Sequence, residues 1–179
     1  MTAAYASCIE QYLTAEGITD YKEALYKNAS VFYEKKAFRL FSMDLSGIQS
    51  FIYTIHSEGA LSMLRSRSFY LEIVMEHMID EILEAASLSR VNVIYSGGGH
   101  CYMLLPDTNK MKDIIKEKQA SFNRFFLEQF DVSLYIACAS TACSANELKN
   151  IPKGSYKELF KSLSNQLSEQ KLARYTKDE

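Results

Sequence analysis

The stretch Arg39-Leu-Phe-Ser-Met-Asp-Leu-Ser-Gly-Ile-Gln-Ser-Phe-Ile-Tyr53 constrains the fold more than any other. Residues 39–43 mix aromatic and apolar side chains as a sheet interior does, which predicts a buried strand. Asp44 is expected at the strand's end. Ser46 and Gln49 have capping-box spacing, so a helix is expected to begin there. Gly47 and Ile48 lie in that turn, and Gly47 removes a side chain where a ligand can approach. One carboxylate would then sit beside a helix N-terminus, whose free N–H groups favour an anion such as phosphate.

A second stretch, Val91 to Leu105, places two apolar runs around Ser96 and the triplet Gly97-Gly98-Gly99, followed by His100. Glycine accepts the positive φ of tight hairpin turns, so a β-hairpin is predicted. One glycine satisfies a turn. Three together point to a backbone that also comes close to something else.

The remaining chain supplies helices and one more strand. Tyr5, Ile9, Tyr12 and Leu13 form a stripe that predicts a helix over 3–15, ended by Gly17. Asp20 to Glu23 has capping-box spacing and starts a helix with Leu25, Ala29 and Phe32. Glu34-Lys-Lys36 is a polar break, which divides the chain into a helical linker segment, 1–36, and a main domain, 37–179. After residues 51–53, Glu58-Gly59-Ala60 interrupts the helix, and Arg65-Ser-Arg-Ser68 leads into a long one. Its apolar face includes Leu71, Val74, Met75, Met78 and Ile82, while Glu72, Glu76, Asp80 and Glu84 are read as a solvated surface. Pro106 ends the hairpin, and Asp107 or Thr108 caps a helix carrying Met111, Ile115, Phe122 and Phe126. Residues 132–140 alternate as a half-buried strand. Ser155-Tyr-Lys-Glu158 opens a last helix with Leu159, Phe160, Leu163 and Leu167 inward.

Element order then gives an α+β fold. Split βαβ pieces of this kind close into a ferredoxin-like antiparallel sheet with helices on one face. Right-handed crossovers put the first strand in the middle with the hairpin beside it, so Asp44 and the 97–100 tip should share one rim.

Composition excludes several function classes. Over 179 residues the net charge is −2, so no global basic field favours nucleic acid. No apolar run approaches the ~20 residues of a membrane span, and no leader pattern opens the chain, so no membrane partner is expected. Cys8, Cys101, Cys138 and Cys143 lack metal-ligand spacing, which argues against zinc; Cys101 and Cys138 read as buried small hydrophobes. A reducing cytoplasm is the expected setting.

Three motifs in order, Asp44-Leu-Ser-Gly-Ile-Gln49, Leu64-Arg-Ser-Arg-Ser-Phe-Tyr-Leu71 and Tyr95-Ser-Gly-Gly-Gly-His100, resemble the first palm domain of the large subunit of type III CRISPR effector complexes, the Csm branch (type III-A) most closely. The likeness runs from about Phe38 to the C-terminus. It implies a nucleotide-cyclase-like palm, akin in fold to polymerase palms and GGDEF diguanylate cyclases. It also implies a second palm in the same full-length protein, and conversion of ATP to cyclic oligoadenylate by the pair during antiviral defence. Other effector subunits and guide RNA are the further partners implied. A His-Asp nuclease domain lies upstream in the family; no His-Asp pair occurs here, so that activity is not expected of this chain.

Joining nucleotides requires two metal ions about 4 Å apart, held by several carboxylates. Active palms supply these from a Gly-Gly-Asp-Asp or Gly-Gly-Asp-Glu-Phe tip. Here the tip is Gly-Gly-Gly-His. Asp44 is the one candidate metal ligand and cannot hold two magnesium ions alone. Nucleotide binding without independent catalysis is therefore expected, at Asp44, Ser46, Gly47, Ile48, Arg67, Ser96, Gly97, Gly98, Gly99 and His100, with magnesium held mainly by the second palm. Plainer readings stand beside each: Asp44 as the partner of an Arg, Ser46 as a cap, the glycines as a turn, Arg67 in a surface ion pair. The alternatives at the level of the domain are a docking module with a vestigial pocket, or a degenerate diguanylate-cyclase-like domain. As an isolated piece the chain could also pair with itself through the face meant for its partner.

Overall fold

The computed structural model describes residues 2–53 and 60–175. The break read at Glu58-Gly59 lies outside these residues. Four strands, β1 (Phe38–Ser46), β2 (Val93–Gly97), β3 (His100–Pro106) and β4 (Tyr135–Cys143), form one antiparallel sheet in the order β2-β3-β1-β4. The helices are α1 (Thr2–Ala15), α2 (Ala29–Glu34), α3 (Ile48–Tyr53), α4 (Ala60–Ala85), α5 (Asn109–Phe130), α6 (Ala145–Leu148) and α7 (Ser155–Leu172), with a π-helical turn at Glu23–Lys27. This is the α+β palm arrangement: β1 is central, flanked by β3 and β4, and helical crossovers join β1 to β2 and β3 to β4.

Apolar side chains project from both faces of β1, and this decides the layering. Phe41, Met43 and Leu45 belong to a core with α4, α5 and the inward residues of β3 and β4. Phe38 and Leu40 point the other way, into a second core with α1, α2, α7, Leu104, Ala137 and Ala139. Helices therefore cover both faces of the sheet, where one covered face was expected. A sheet apolar on two sides must bury both. All four cysteines are buried, and burial pushes the thiols of Cys8, Cys101 and Cys143 up to about 12.

Several boundaries differ from the sequence reading for local reasons. Arg65 to Ser68 lie inside α4 and do not precede it. The α7 cap is Gly154, in the left-handed region, not Ser155. The capping box that forms is Ser144 with Glu147, at the start of α6. At α5 the Thr108 hydroxyl accepts from the Met111 N–H, which leaves Asp107 free to bind Arg39 at 2.6 Å.

Strand β4 forms one edge of the sheet, and amide side chains cover it. Asn123 accepts from the Ile136 N–H at 2.8 Å and donates to the Ile136 carbonyl at 3.0 Å. Gln170 does the same at Cys138, at 3.0 and 2.7 Å, and Gln166 accepts from the Ser140 N–H. These residues alternate along the strand, so α5 and α7 together imitate a fifth strand and close a pairing edge. Asn123→Ala should cost about 1–3 kcal/mol, because it orphans the buried Ile136 N–H, while Gln119 still donates to the Ile136 carbonyl at 3.3 Å. Gln166→Ala, whose bond is long and partly exposed, should cost under about 1 kcal/mol. Urea denaturation of the two variants checks the ranking.

Candidate functional site

The rim formed by β1 and the β2–β3 hairpin brings the two sequence motifs together. Asp44 stands opposite His100 in the β1–β3 register, and the Leu45 N–H donates to the Gly99 carbonyl at 2.8 Å. Asp44 is not at the end of its strand, however. Pairing continues through Ser46, which lies opposite Tyr135 on β4 and is buried. The chain leaves the sheet only at Gly47, whose carbonyl accepts from the Phe51 N–H at 2.9 Å. Gly47 is therefore the helix cap and Ser46 is a strand residue, one position earlier than a cap. The β1–β4 ladder outcompetes the Ser46–Gln49 capping box.

The glycines divide by what surrounds them. Gly47 has φ +93°, and a Cβ there would lie 1.9 Å from the Ser133 carbonyl oxygen. Its bareness serves close packing against the loop before β4. Gly98 and Gly99 both have positive φ, at +62° and +79°, as a two-residue hairpin turn of the primed kind requires. A Cβ on Gly99 would also meet Ile48 Cδ1 at 2.2 Å. The turn and the packing of Ile48 thus account for two of the three. Gly97 has no such backbone demand and borders an open cleft.

That cleft, about 290 Å³, lies between the hairpin tip and the helices α3 and α4. Its floor is apolar: Ile48, Ile52, Leu71 and Met75. Its rim is polar: Ser68, Glu72, Glu76, Ser96, the three tip glycines and His100. The Ser96 hydroxyl donates to Glu76 at 2.6 Å, and Arg90 binds both Glu76 and Asp80. Hydrogen bonds from Ser96 and Arg90 hold the Glu76 carboxyl below its ordinary value. No lysine or arginine lines the cleft among the described residues. Arg67 is turned away, donating to the Phe51 carbonyl with its guanidinium 5.2 Å from the Phe51 ring centroid. Glu72 and Glu76 were read as solvated surface. Their spacing fits a solvent face equally well, and only the distant arrival of β2 beside α4 makes them rim residues.

On the other side of the tip, Asp44 lies in a short polar chain. His100 Nδ1 is 3.2 Å from Asp44 Oδ2, and Nε2 is 3.1 Å from the buried Ser42 hydroxyl. A carboxylate only accepts, so Nδ1 carries the proton shared with Asp44. Lys171, from the last turn of α7, reaches the same Asp44 oxygen at 2.7 Å. Burial alone would raise the Asp44 pKa. The His100 and Lys171 hydrogen bonds and charges outweigh it and hold the carboxyl below its ordinary value. Lys171 carried no sequence signal, since only the folding of α7 across the sheet brings it there. A wider groove of about 900 Å³ opens at the far end of the sheet, between α1 and the start of α5, with lysines and acids mixed along it.

Two outcomes follow. Gly47→Ala should destabilise by at least about 2 kcal/mol, because it combines positive φ with a backbone clash, whereas Gly98→Ala, open to solvent, should cost about 1 kcal/mol. Chemical denaturation separates them. Asp44, with its lowered folded-state pKa, stabilises the fold above the unfolded carboxylate's pKa and loses that contribution as pH falls through its folded value. Asp44→Asn should therefore flatten the loss of stability below about pH 4 in acid titrations followed by circular dichroism.

Residues 37–179 match the family described as Csm1 subunit domain B. The Mycobacterium tuberculosis CRISPR system single-strand-specific deoxyribonuclease Cas10/Csm1 (subtype III-A) is 47% identical over 189 residues, covering 100% of this chain and 23% of that protein. The chain thus spans about a quarter of the length of the curated relatives it matches. Among solved structures, a Csm1–Csm4 cassette in complex with pppApA superposes with a TM-score of 0.79 at 29% identity, over 90% of this chain and 22% of the other. A cassette in complex with AMPPNP gives 0.74 at 32%, over 80% and 20%. No helix among the described residues is long and apolar enough to cross a membrane. With its four-stranded palm sheet and its glycine hairpin set against Asp44, the chain belongs to the Csm1 subunit domain B family, a palm domain of the type III-A Cas10/Csm1 proteins.

Proposed function

We propose that this domain is the nucleotide-holding, catalytically degenerate half of a two-palm site that makes cyclic oligoadenylate from ATP. The observation that carries the reading is the cleft at the glycine tip, about 290 Å³ with an apolar floor, rimmed by hydrogen-bond acceptors and bare backbone. A base stacked on Ile48, Ile52, Leu71 and Met75 would turn an exocyclic amino group toward Glu72 or Glu76. A triphosphate is disfavoured in the cleft by the Glu72 and Glu76 carboxylates, of which Glu76 is already paired with Arg90, since no lysine or arginine lines it among the described residues. The phosphates would instead run along the tip backbone, Gly97 to Gly99, toward His100 and the rim beside Gly47. Ser46 is buried and Arg67 is turned away, so they would support the site from behind. The cassettes solved with pppApA and AMPPNP support an adenine nucleotide as the ligand class.

Degeneracy rests on the tip itself. Its sequence carries no carboxylate, and among the described residues no cluster of three His, Cys, Asp or Glu could hold a metal. Magnesium would be held by the nucleotide and by the second palm of the full-length protein. Csm4, present in the solved cassettes, and the guide-RNA-bearing subunits are the proposed assembly partners. The domain boundary is proposed at 36/37, where the family match begins. The rival reading, a docking module, rests on the large apolar side chains exposed on α4, Phe69 and Ile73 among them.

Ser68→Trp would fill the cleft mouth from an exposed helical position. In the full-length protein assembled with its partners and target RNA, it should lower magnesium-dependent oligoadenylate synthesis at least about tenfold while leaving assembly intact. Undiminished synthesis would overturn the nucleotide reading. Intact synthesis with Phe69→Asp abolishing assembly would establish the docking module.

A further inference from the structure

Asp44 is the one candidate metal ligand of the β1 rim, and the structure gives that carboxylate a cation of its own. Lys171 Nζ lies 2.7 Å and His100 Nδ1 3.2 Å from one oxygen, Oδ2. The lysine does not arrive by chance rotation of a long side chain. Its neighbour Gln170 is fixed to both the N–H and the carbonyl of Cys138 on β4. Leu167, one turn earlier, is buried in the second core, and Tyr175 just beyond donates to the Leu134 carbonyl at 2.5 Å. The last turn of α7 is thus pinned from both sides, with residue 171 held over β1. Cys138 lies opposite Met43 in the β1–β4 register, next to Asp44, so the Gln170 clamp and the Lys171 contact are adjacent in space as well as in sequence.

We infer that Lys171 is a built-in counter-ion that takes the place of a divalent cation at Asp44, so that this half of the site meets its ligand with a protein ammonium rather than a metal. The chemistry follows from charge and donor count. A divalent ion at Oδ2 would have to displace the lysine and share the oxygen with an imidazole N–H, with no second carboxylate close enough to help among the described residues. An ammonium supplies one charge at fixed position and keeps two N–H donors for an anion passing over it. The inference goes beyond the proposed function and does not need a nucleotide to be tested.

The test is a Mn²⁺ titration of the chain without nucleotide, read by paramagnetic broadening of the His100 imidazole resonance. That resonance is assigned by its loss in His100→Gln, since the chain has three histidines. Lys171→Met should bind Mn²⁺ at Asp44 about tenfold more tightly than the wild type, Lys171→Arg should behave as the wild type, and Lys171→Met with Asp44→Asn should lose the gain. Equal Mn²⁺ affinity in the wild type and Lys171→Met, strong or weak, would overturn the inference. If Lys171→Met does not fold by circular dichroism, Lys171→Gln is read by the same criterion. ATP binding measured separately tests the nucleotide reading, so the two can fail independently.

Discussion

The register of β1 against β3 is the constraint on which the site depends. Asp44 faces His100 because Phe38 faces Pro106 at the other end of the same ladder. A slip of one residue would send Asp44 to the opposite face of the sheet and Met43 out of the core. Burial on two faces prevents it. Phe41 and Met43 are locked against α4 and α5, while Phe38 and Leu40 are locked against α1 and α7. The polar pair at the rim is thus positioned by apolar residues several positions away.

From that register the hairpin tip acquires two unlike sides. Toward α4 it borders an apolar, acid-rimmed cleft that no lysine or arginine lines among the described residues; toward α7 it carries His100, Asp44 and Lys171. A nucleotide is itself two-sided, with an apolar base bearing amino groups at one end and anionic phosphate at the other. The match between these asymmetries is the physical basis of the functional proposal. It does not call for a metal held by this domain, which is consistent with a division of labour between two palms.

The fold was legible because its signals are local or periodic. The β1 stretch, the glycine hairpin, the face of α4 and the Thr108 cap each announce themselves within a few residues. Right-handed crossover then sets the strand order. What sequence missed depends on residues far apart. The second covered face needed α1 and α7 to meet on β1. The Gly47 cap needed β4 to hold Ser46 in the ladder, and its bareness answers to Ser133 rather than to a ligand. Glu72 and Glu76 repeat as a solvent face does, and Lys171 sits among exposed lysines and acids. Each gains meaning only when β2 or α7 arrives from tens of residues away.

The most direct test of the cleft is photolabelling of the full-length, partner-bound protein with 8-azido-ATP, followed by peptide mapping. The azide is carried on the base, so the label reports where the base sits. Adducts within 68–76 or 95–100, suppressed by unlabelled ATP, are the result expected. Competable adducts confined to other parts of the protein, with these two segments unlabelled, would contradict the account.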